Sequence, residues 1–255
     1  MSKSVAFFGA SGGCGLSALR HSLIADFYCT ALCRNPSRLT TGLSASSPNH
    51  GSVPQQKLTI VQGNAHSVDD VARCLVSPID PLAIVDVIVF SIGSTFSWTT
   101  MKADDPNVCE KGTDAMLAAL ERLRAEGKSG RPRIVVVSST GISDFERDVP
   151  IAFLPLYAAI KNPHVDKKKM ERKIKASGED WTVIRPSLLT DEDEKGKGIR
   201  KPKEIRVGVE DLDNGVESKV VGYTITREDV GKWIFQNLVR KPGEGYLRKA
   251  VSITY

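Results

Sequence analysis

The sequence predicts an α/β protein, a doubly wound parallel sheet with helices on both faces. Three observations carry that prediction. Apolar runs of strand length alternate along the chain with segments of helical periodicity, the order that builds a parallel sheet. The run AIVDVIVF at 83–90 is almost continuously apolar, as a strand buried on both faces must be. At 4–15, SVAFFGASGGCG leads a strand into a glycine-rich turn and on into a helix, the first half of a βαβ unit.

Length and composition narrow the class. A chain of 255 residues buries a substantial core and is read as one domain over 1–255, with substrate-side segments near 94–104, 141–163 and 187–225. A net charge of +5, with lysine clusters only at 167–169 and 195–203, does not call for a nucleic-acid partner. The longest apolar run, LAIVDVIVF, is broken by Asp86 and too short to span a bilayer, and the N-terminal run is too short for a secretory leader. Five cysteines, odd in number and without metal-ligand spacing, point to reduced thiols in a cytoplasmic protein and to no metal site.

In chain order, Val5 to Phe8 form the first strand, and the helix after it places Leu16, Leu19, Leu23 and Ile24 on one face. Between them Gly9, Gly12 and Gly15 are spaced G-x-x-G-x-x-G, with Gly13 in addition and Ser11 and Cys14 interleaved. This turn suits a dinucleotide pyrophosphate: the chain turns sharply, the backbone approaches the phosphates, and helix N–H groups face the anion. The plainer alternative is an ordinary glycine turn. The second strand, FYCTALC, ends at Arg34, where a dinucleotide fold places the adenine ribose. No acid is offered for a 2′-hydroxyl, and Arg34 with Arg38 suits a 2′-phosphate, so NADP(H) is expected over NAD. Without the glycine turn, Arg34 would read as a solvated loop residue.

Residues 39–56 lack periodicity and are read as a loop. KLTIVQGNAH makes a third strand ending at Gly63, Asn64 and Ala65; Asn64 either meets an adenine edge or caps a turn. After the helix SVDDVARCLV, the fourth strand stops at Ser91, Ile92 and Gly93, where Gly93 lets the backbone pass close to the cofactor. Phe96, Trp98 and Met101 either wall a substrate pocket or simply pack. A helix begins at Asp105 as cap with Pro106 in the first turn, and turns Val108, Met116, Leu117, Leu120 and Leu123 inward. The fifth strand, RIVVVSSTG, ends in Ser138, Ser139 and Thr140, whose hydroxyls can polarise a substrate carbonyl or form a serine-rich turn.

From 141 to 163 the chain reads as loop, with Tyr157 and Lys161 at a spacing that lets an ammonium lower a phenol pKa. A long helix is predicted after Pro163, with Lys167 in its first turn, either reaching the nicotinamide ribose or part of a solvated lysine face. DWTVIRPSLLT is a sixth strand running out at Arg185 and Pro186, and 191–221 is charged and irregular apart from a short strand at EIRVGV. TREDVGKWIFQNLV is a late helix capped by Thr226 with Val230, Ile234 and Leu238 inward, and AVSITY closes the sheet.

FFGASGGCG, Arg34, GNA at 63–65, VVVSSTG, KKKMERKIKASGEDWTVIRPSLLT and TREDVGKWI together resemble the atypical short-chain dehydrogenase/reductase superfamily, in its NmrA-like, NAD(P)H-binding branch, over nearly the full length. The resemblance implies a Rossmann-type sheet, Lys167 at the nicotinamide ribose, Glu171 on the same helix, and Pro186, Ser187 and Leu188 as a loop over the nicotinamide. Two departures stand out. Pro163 occupies the place of the family's tyrosine, four residues before the lysine, and Asn64 replaces a usual aspartate. The proton donor is therefore open among Tyr157, Ser139, Thr140, His164 and solvent. The expected function is an NADPH-dependent reductase of a small carbonyl, quinone or enone compound. The alternatives are an NADP-binding sensor or scaffold without turnover and a redox-neutral isomerase or cyclase, with monomer and dimer both open.

Overall fold

Successive side chains of a strand point to opposite sides, so the apolar runs of this chain supply two cores at once. The computed structural model describes residues 3–44, 53–94, 96–97, 102–103, 105–159, 161–191, 203–241 and 244–255. In order, these form β1 (Ser4–Phe8), α1 (Gly13–Ile24), β2 (Tyr28–Cys33), α2 (Pro36–Ser44), β3 (Leu58–Gln62), α3 (Val68–Leu75) and β4 (Val87–Phe90). A small hairpin of β5 (Phe96–Ser97) and β6 (Lys102–Ala103) precedes α4 (Val108–Ala125) and β7 (Arg133–Val137). Then come α5 (Leu154–Ala159), α6 (Lys161–Ala176), β8 (Asp180–Pro186), β9 (Leu188–Thr190), β10 (Arg206–Asp211), β11 (Gly215–Ser218), β12 (Thr224–Thr226), α7 (Arg227–Ile234) and β13 (Lys249–Thr254).

The main sheet has nine strands in the order β11-β10-β13-β8-β7-β4-β1-β2-β3. Strands β3 through β13 along that order pair in parallel, and at the other edge β10 pairs antiparallel with both β13 and β11. Val5, Phe7, Val87, Val89, Val135 and Val137 enter a core shared with α1 and α7; Ala6, Phe8, Ile88, Phe90, Ile134 and Val136 enter the other, shared with α3, α4 and α6. The strand order reverses between β1 and β4, where the ends of parallel strands open a crevice. Asp86, which interrupts the longest apolar run, lies just before β4 and accepts hydrogen bonds from the Ser4 N–H (2.8 Å) and hydroxyl (2.9 Å).

A buried ion network joins three elements behind this crevice. The Arg185 guanidinium, in a residue 2% exposed, donates to both Glu171 carboxylate oxygens (3.2 and 2.7 Å) and to Glu210 (2.8 Å), and the Ser143 hydroxyl donates to Glu210 (2.5 Å). It ties β8 to α6 and β10.

Several elements differ from the sequence reading. Residues 39–44, the first part of the stretch read as loop, belong to α2, because Asn35 caps the turn and Leu39 and Leu43, four apart, are buried. Ile24 is not inward: at the last turn of α1 it is 46% exposed. Helix α4 starts at Val108, and Asp105 instead accepts from the Asn107 N–H in the preceding turn (2.9 Å). The span 141–163 contains α5, and α6 begins before Pro163, which the first helical turn tolerates because its N–H groups have no intrahelical acceptor. Lys167 consequently sits past the first turn. The charged stretch 191–221 holds two strands, β10 and β11. Trp98, Met101, most of the 195–203 lysine cluster and the side chains of Phe96 and Lys161 lie outside the described residues.

Candidate cofactor and substrate site

The site begins with a helix that has no cap. Asn35 accepts from the Ser37 and Arg38 N–H groups at α2 (3.1 and 3.4 Å), Ser67 from Asp70 at α3 (3.3 Å), and Thr226 from Asp229 at α7 (3.1 Å). At α4 the cap comes from another helix, the Asp166 carboxylate of α6 accepting from the Cys109 and Glu110 N–H groups (2.8 and 2.9 Å). Helix α1 starts at Gly12, which has no side chain to offer, so its first donors keep their capacity for an anion.

The glycines divide the work. A Cβ at Gly9, whose φ is +86°, would stand 2.7 Å from the Ser91 carbonyl oxygen, and one at Gly15 would stand 2.2 Å from Ser91 Oγ and 2.7 Å from the Gly9 oxygen. Those two glycines therefore let β1, β4 and α1 close on each other. Gly13 takes φ +57°, and a Cβ at Gly12 would meet nothing within 4 Å. Gly12 thus leaves open space in front of uncapped N–H groups, a cradle that fits a pyrophosphate. Ser11 beside it is half-buried, and Cys14 is buried with its thiol pushed up to about 12 by desolvation, against the pull of Arg227 and Lys167, so it stays protonated and inert.

At the end of β2, Arg34 and Arg38 are exposed and form no ion pair with any described residue. Asn64 takes the turn-capping alternative: its side-chain oxygen accepts from the His66 N–H (3.1 Å), and its own N–H donates to Asp70 (2.8 Å). Ala65 follows half-buried in the same turn. At the end of β4, the Ser91 hydroxyl donates to the Phe8 carbonyl (3.0 Å), the Ile92 carbonyl accepts from the Cys109 thiol (3.3 Å), and Gly93 is exposed with room around it.

The end of β7 gathers the polar groups. Ser138 is 2% exposed, and its hydroxyl has no hydrogen-bond partner among the described residues. Ser139, half-buried, lies 3.5 Å from His164 Nε2, and Thr140 pairs with the Tyr157 hydroxyl (2.9 Å). The Tyr157 ring stacks on the His164 ring with centroids 5.2 Å apart. Lys167 donates from Nζ to the Val137 carbonyl (2.9 Å). Burial, with the nearby Lys167 charge, pulls His164 down to about 4, so its ring is neutral at pH 7. Tyr157 moves opposite to the expectation: burial raises its pKa, the Thr140 hydrogen bond only partly offsetting this. At the end of β8, Pro186 accepts from the Thr140 N–H (3.1 Å), Ser187 is spent on Thr254 (2.9 Å), and Leu188 opens β9.

The site therefore brings Ser139, Thr140, Tyr157 and Lys167 together at the crevice beside the glycine turn, with Arg34 and Arg38 at its far end. Sequence reasoning missed Asp166 as the cap of α4, which carries no signal in a lysine-rich helix.

An uncapped glycine cradle at a topological switch point, with hydroxyls at the end of β7 and a lysine reaching that strand end from α6, defines an NAD(P)-dependent oxidoreductase of short-chain dehydrogenase/reductase architecture. Residues 9–241 match the family described as NAD(P)H-binding, and the chain belongs to that family. Among curated proteins it is 40% identical to the reductase pytE of Aspergillus terreus, across 99% of this chain and 98% of that protein. It is 32% identical to the oxidase pynE of Aspergillus niger, across 100% and 99%. Among solved structures, a short-chain dehydrogenase/reductase from Veillonella parvula in complex with NADP has the same fold, with a TM-score of 0.69 at 16% identity over 100% of this chain and 95% of that one.

Proposed function

We propose that this protein is an NADPH-dependent reductase of a small carbonyl, quinone or enone compound. The observation that carries the cofactor choice is the pair of exposed guanidiniums of Arg34 and Arg38 after β2, without an ion-pair partner among the described residues, and with no carboxylate in the Arg34–Arg38 segment to take a ribose 2′-hydroxyl. In this reading the Gly12 to Cys14 backbone holds the pyrophosphate, Arg34 and Arg38 the 2′-phosphate, and Lys167 the nicotinamide ribose. Bound there, the nicotinamide supplies the hydride. Ser139 and Thr140 orient the acceptor oxygen by hydrogen bonds from neutral hydroxyls.

The proton is the less ordinary part. With Pro163 in place of a tyrosine, the Ser139 hydroxyl passes a proton to the reduced oxygen and is re-protonated from solvent, the neutral His164 beside it supplying no proton of its own, and Tyr157 stays a protonated phenol engaged with Thr140. The relatives named reductase and oxidase both carry redox names, which favours hydride transfer over a redox-neutral reaction. A sensor that binds NADP without turnover is the second reading, supported by the same Pro163.

Titration of nicotinamide fluorescence with NADPH and NADH tests the cofactor choice. Arg34→Ala is expected to weaken NADPH by about 1–3 kcal/mol, the range for lost charged hydrogen bonds, and to leave NADH nearly unchanged. Equal weakening of both would remove the assignment. Steady NADPH consumption with a panel of quinones and enones separates the reductase from the sensor.

A further inference from the structure

The first residue of α7 stands at the mouth of the glycine cradle. A Cβ built on Gly13 would lie 3.5 Å from Arg227 Cδ and 3.9 Å from its Nε, so the guanidinium hangs over the start of α1. Helix α7 is held there closely. A Cβ at Gly231 would come within 2.4 Å of Ser17 Cβ and 2.6 Å of the Cys14 oxygen, the Ser17 hydroxyl donates to the Glu228 carbonyl (2.9 Å), and His21 meets the Glu228 carboxylate (3.0 Å). Thr226 and Asp229 fix the turn from which Arg227 projects.

The Arg227 guanidinium is paired with Asp191 at 2.8 Å, and the Asp191 side chain is 83% exposed. An exposed carboxylate on a guanidinium is weakly held, because water competes for both and salt screens them. A diphosphate at the same place offers more acceptor oxygens, and a planar guanidinium matches them well. Among the charges acting on the Cys14 thiol, in the first turn of α1, that of Arg227 comes first, which agrees with its position over this helix start.

We propose that Arg227 is a ligand of the cofactor pyrophosphate, and that the Asp191 carboxylate holds its guanidinium until the diphosphate replaces it. This rests on the dinucleotide reading above. It adds a cation to a glycine turn that has none of its own, and it links cofactor arrival to the segment directly after β9. Asp191 is then a competitor for Arg227, not a support for it.

Equilibrium binding of NADPH and NADH to the full chain tests both parts. Arg227→Gln is expected to weaken the two nucleotides by the same factor, about tenfold or more, because the pyrophosphate is common to both, whereas Arg34→Ala discriminates between them. Arg227→Lys should recover part of the loss. Asp191→Asn should tighten both nucleotides several-fold, an effect that a merely structural ion pair would not give. Unchanged binding in Arg227→Gln, or weaker binding in Asp191→Asn, overturns the proposal while leaving the dinucleotide reading in place. Failure of the wild type to bind either nucleotide would instead remove that reading and this proposal with it. If Arg227→Gln does not fold, Arg227→Lys and Asp191→Asn still decide.

Discussion

Helix α6 serves two polar clusters that are built in opposite ways. Around Glu171 everything is matched: Arg185 spends its donors on two carboxylates, and Ser143 completes Glu210. Around His164 and Lys167 much is left over. Among the described residues Ser138 Oγ has no partner and the ammonium of Lys167 donates to a single carbonyl, and the His164 ring is kept neutral. A saturated network rigidifies and has nothing left for a ligand; one with spare capacity holds its members ready for one. The comparison separates the part of α6 that holds β8 and β10 in place from the part that faces chemistry.

The sharpest way to break this comparison is at the saturated end. Glu171→Ala leaves Arg185 buried with one carboxylate instead of two, and removing one partner of a buried pair costs about 3–5 kcal/mol. Urea unfolding should show that loss, and a loss below about 1 kcal/mol would mean that the network is not closed in solution.

The next effect is a pH dependence at the unsaturated end. Folding lowers His164 from 6.5 to about 4 by burial and the Lys167 charge, so the unfolded chain binds a proton that the folded one refuses. Its contribution to stability is complete above pH 6.5 and is lost as pH falls toward 4, by about 3 kcal/mol at 1.36 kcal/mol per unit. Stability curves for wild type and His164→Gln should converge in slope above that window and diverge within it; parallel curves throughout would show that the ring is charged when folded. The smallest effect belongs to Ser138→Ala. Deleting an unpartnered buried hydroxyl should change the unfolding free energy by less than about 1 kcal/mol, whereas Thr140→Ala, which orphans the Tyr157 hydroxyl, should cost about 1–3 kcal/mol. A large loss at Ser138 would reveal a partner and erase the contrast.

The parts of the fold legible beforehand are those written in local pattern. β4 announces itself because both of its faces are buried, and the glycine turn because Gly9 and Gly15 must admit Ser91 at distances no side chain allows. Helix α2 was hidden because only Leu39 and Leu43 turn inward from an otherwise polar stretch. For Tyr157 the pKa direction has a tertiary reason: a spacing of four suggested an ammonium neighbour, whose side chain lies outside the described residues, while burial of the ring against His164 and Thr140 pushes the phenol up. Asp166 as the cap of α4 was beyond reach, because its acceptors' partners are over fifty residues away in sequence. What remains local is how a cofactor is held; what is tertiary is how a proton reaches the acceptor.

The short ladder of β9 with β12 has a consequence of its own. Leu188 to Thr190 pair in register with Thr224 to Thr226, so the chain leaves the crevice and returns to it at two adjoining points, and the returning strand runs directly into α7. Between these points the chain runs out to the sheet edge, where β10 pairs with β13 and carries Glu210 to Arg185. The excursion is therefore fixed at its outer end as well as at its neck, and the start of α7 is held from the sheet edge as well as from the crevice.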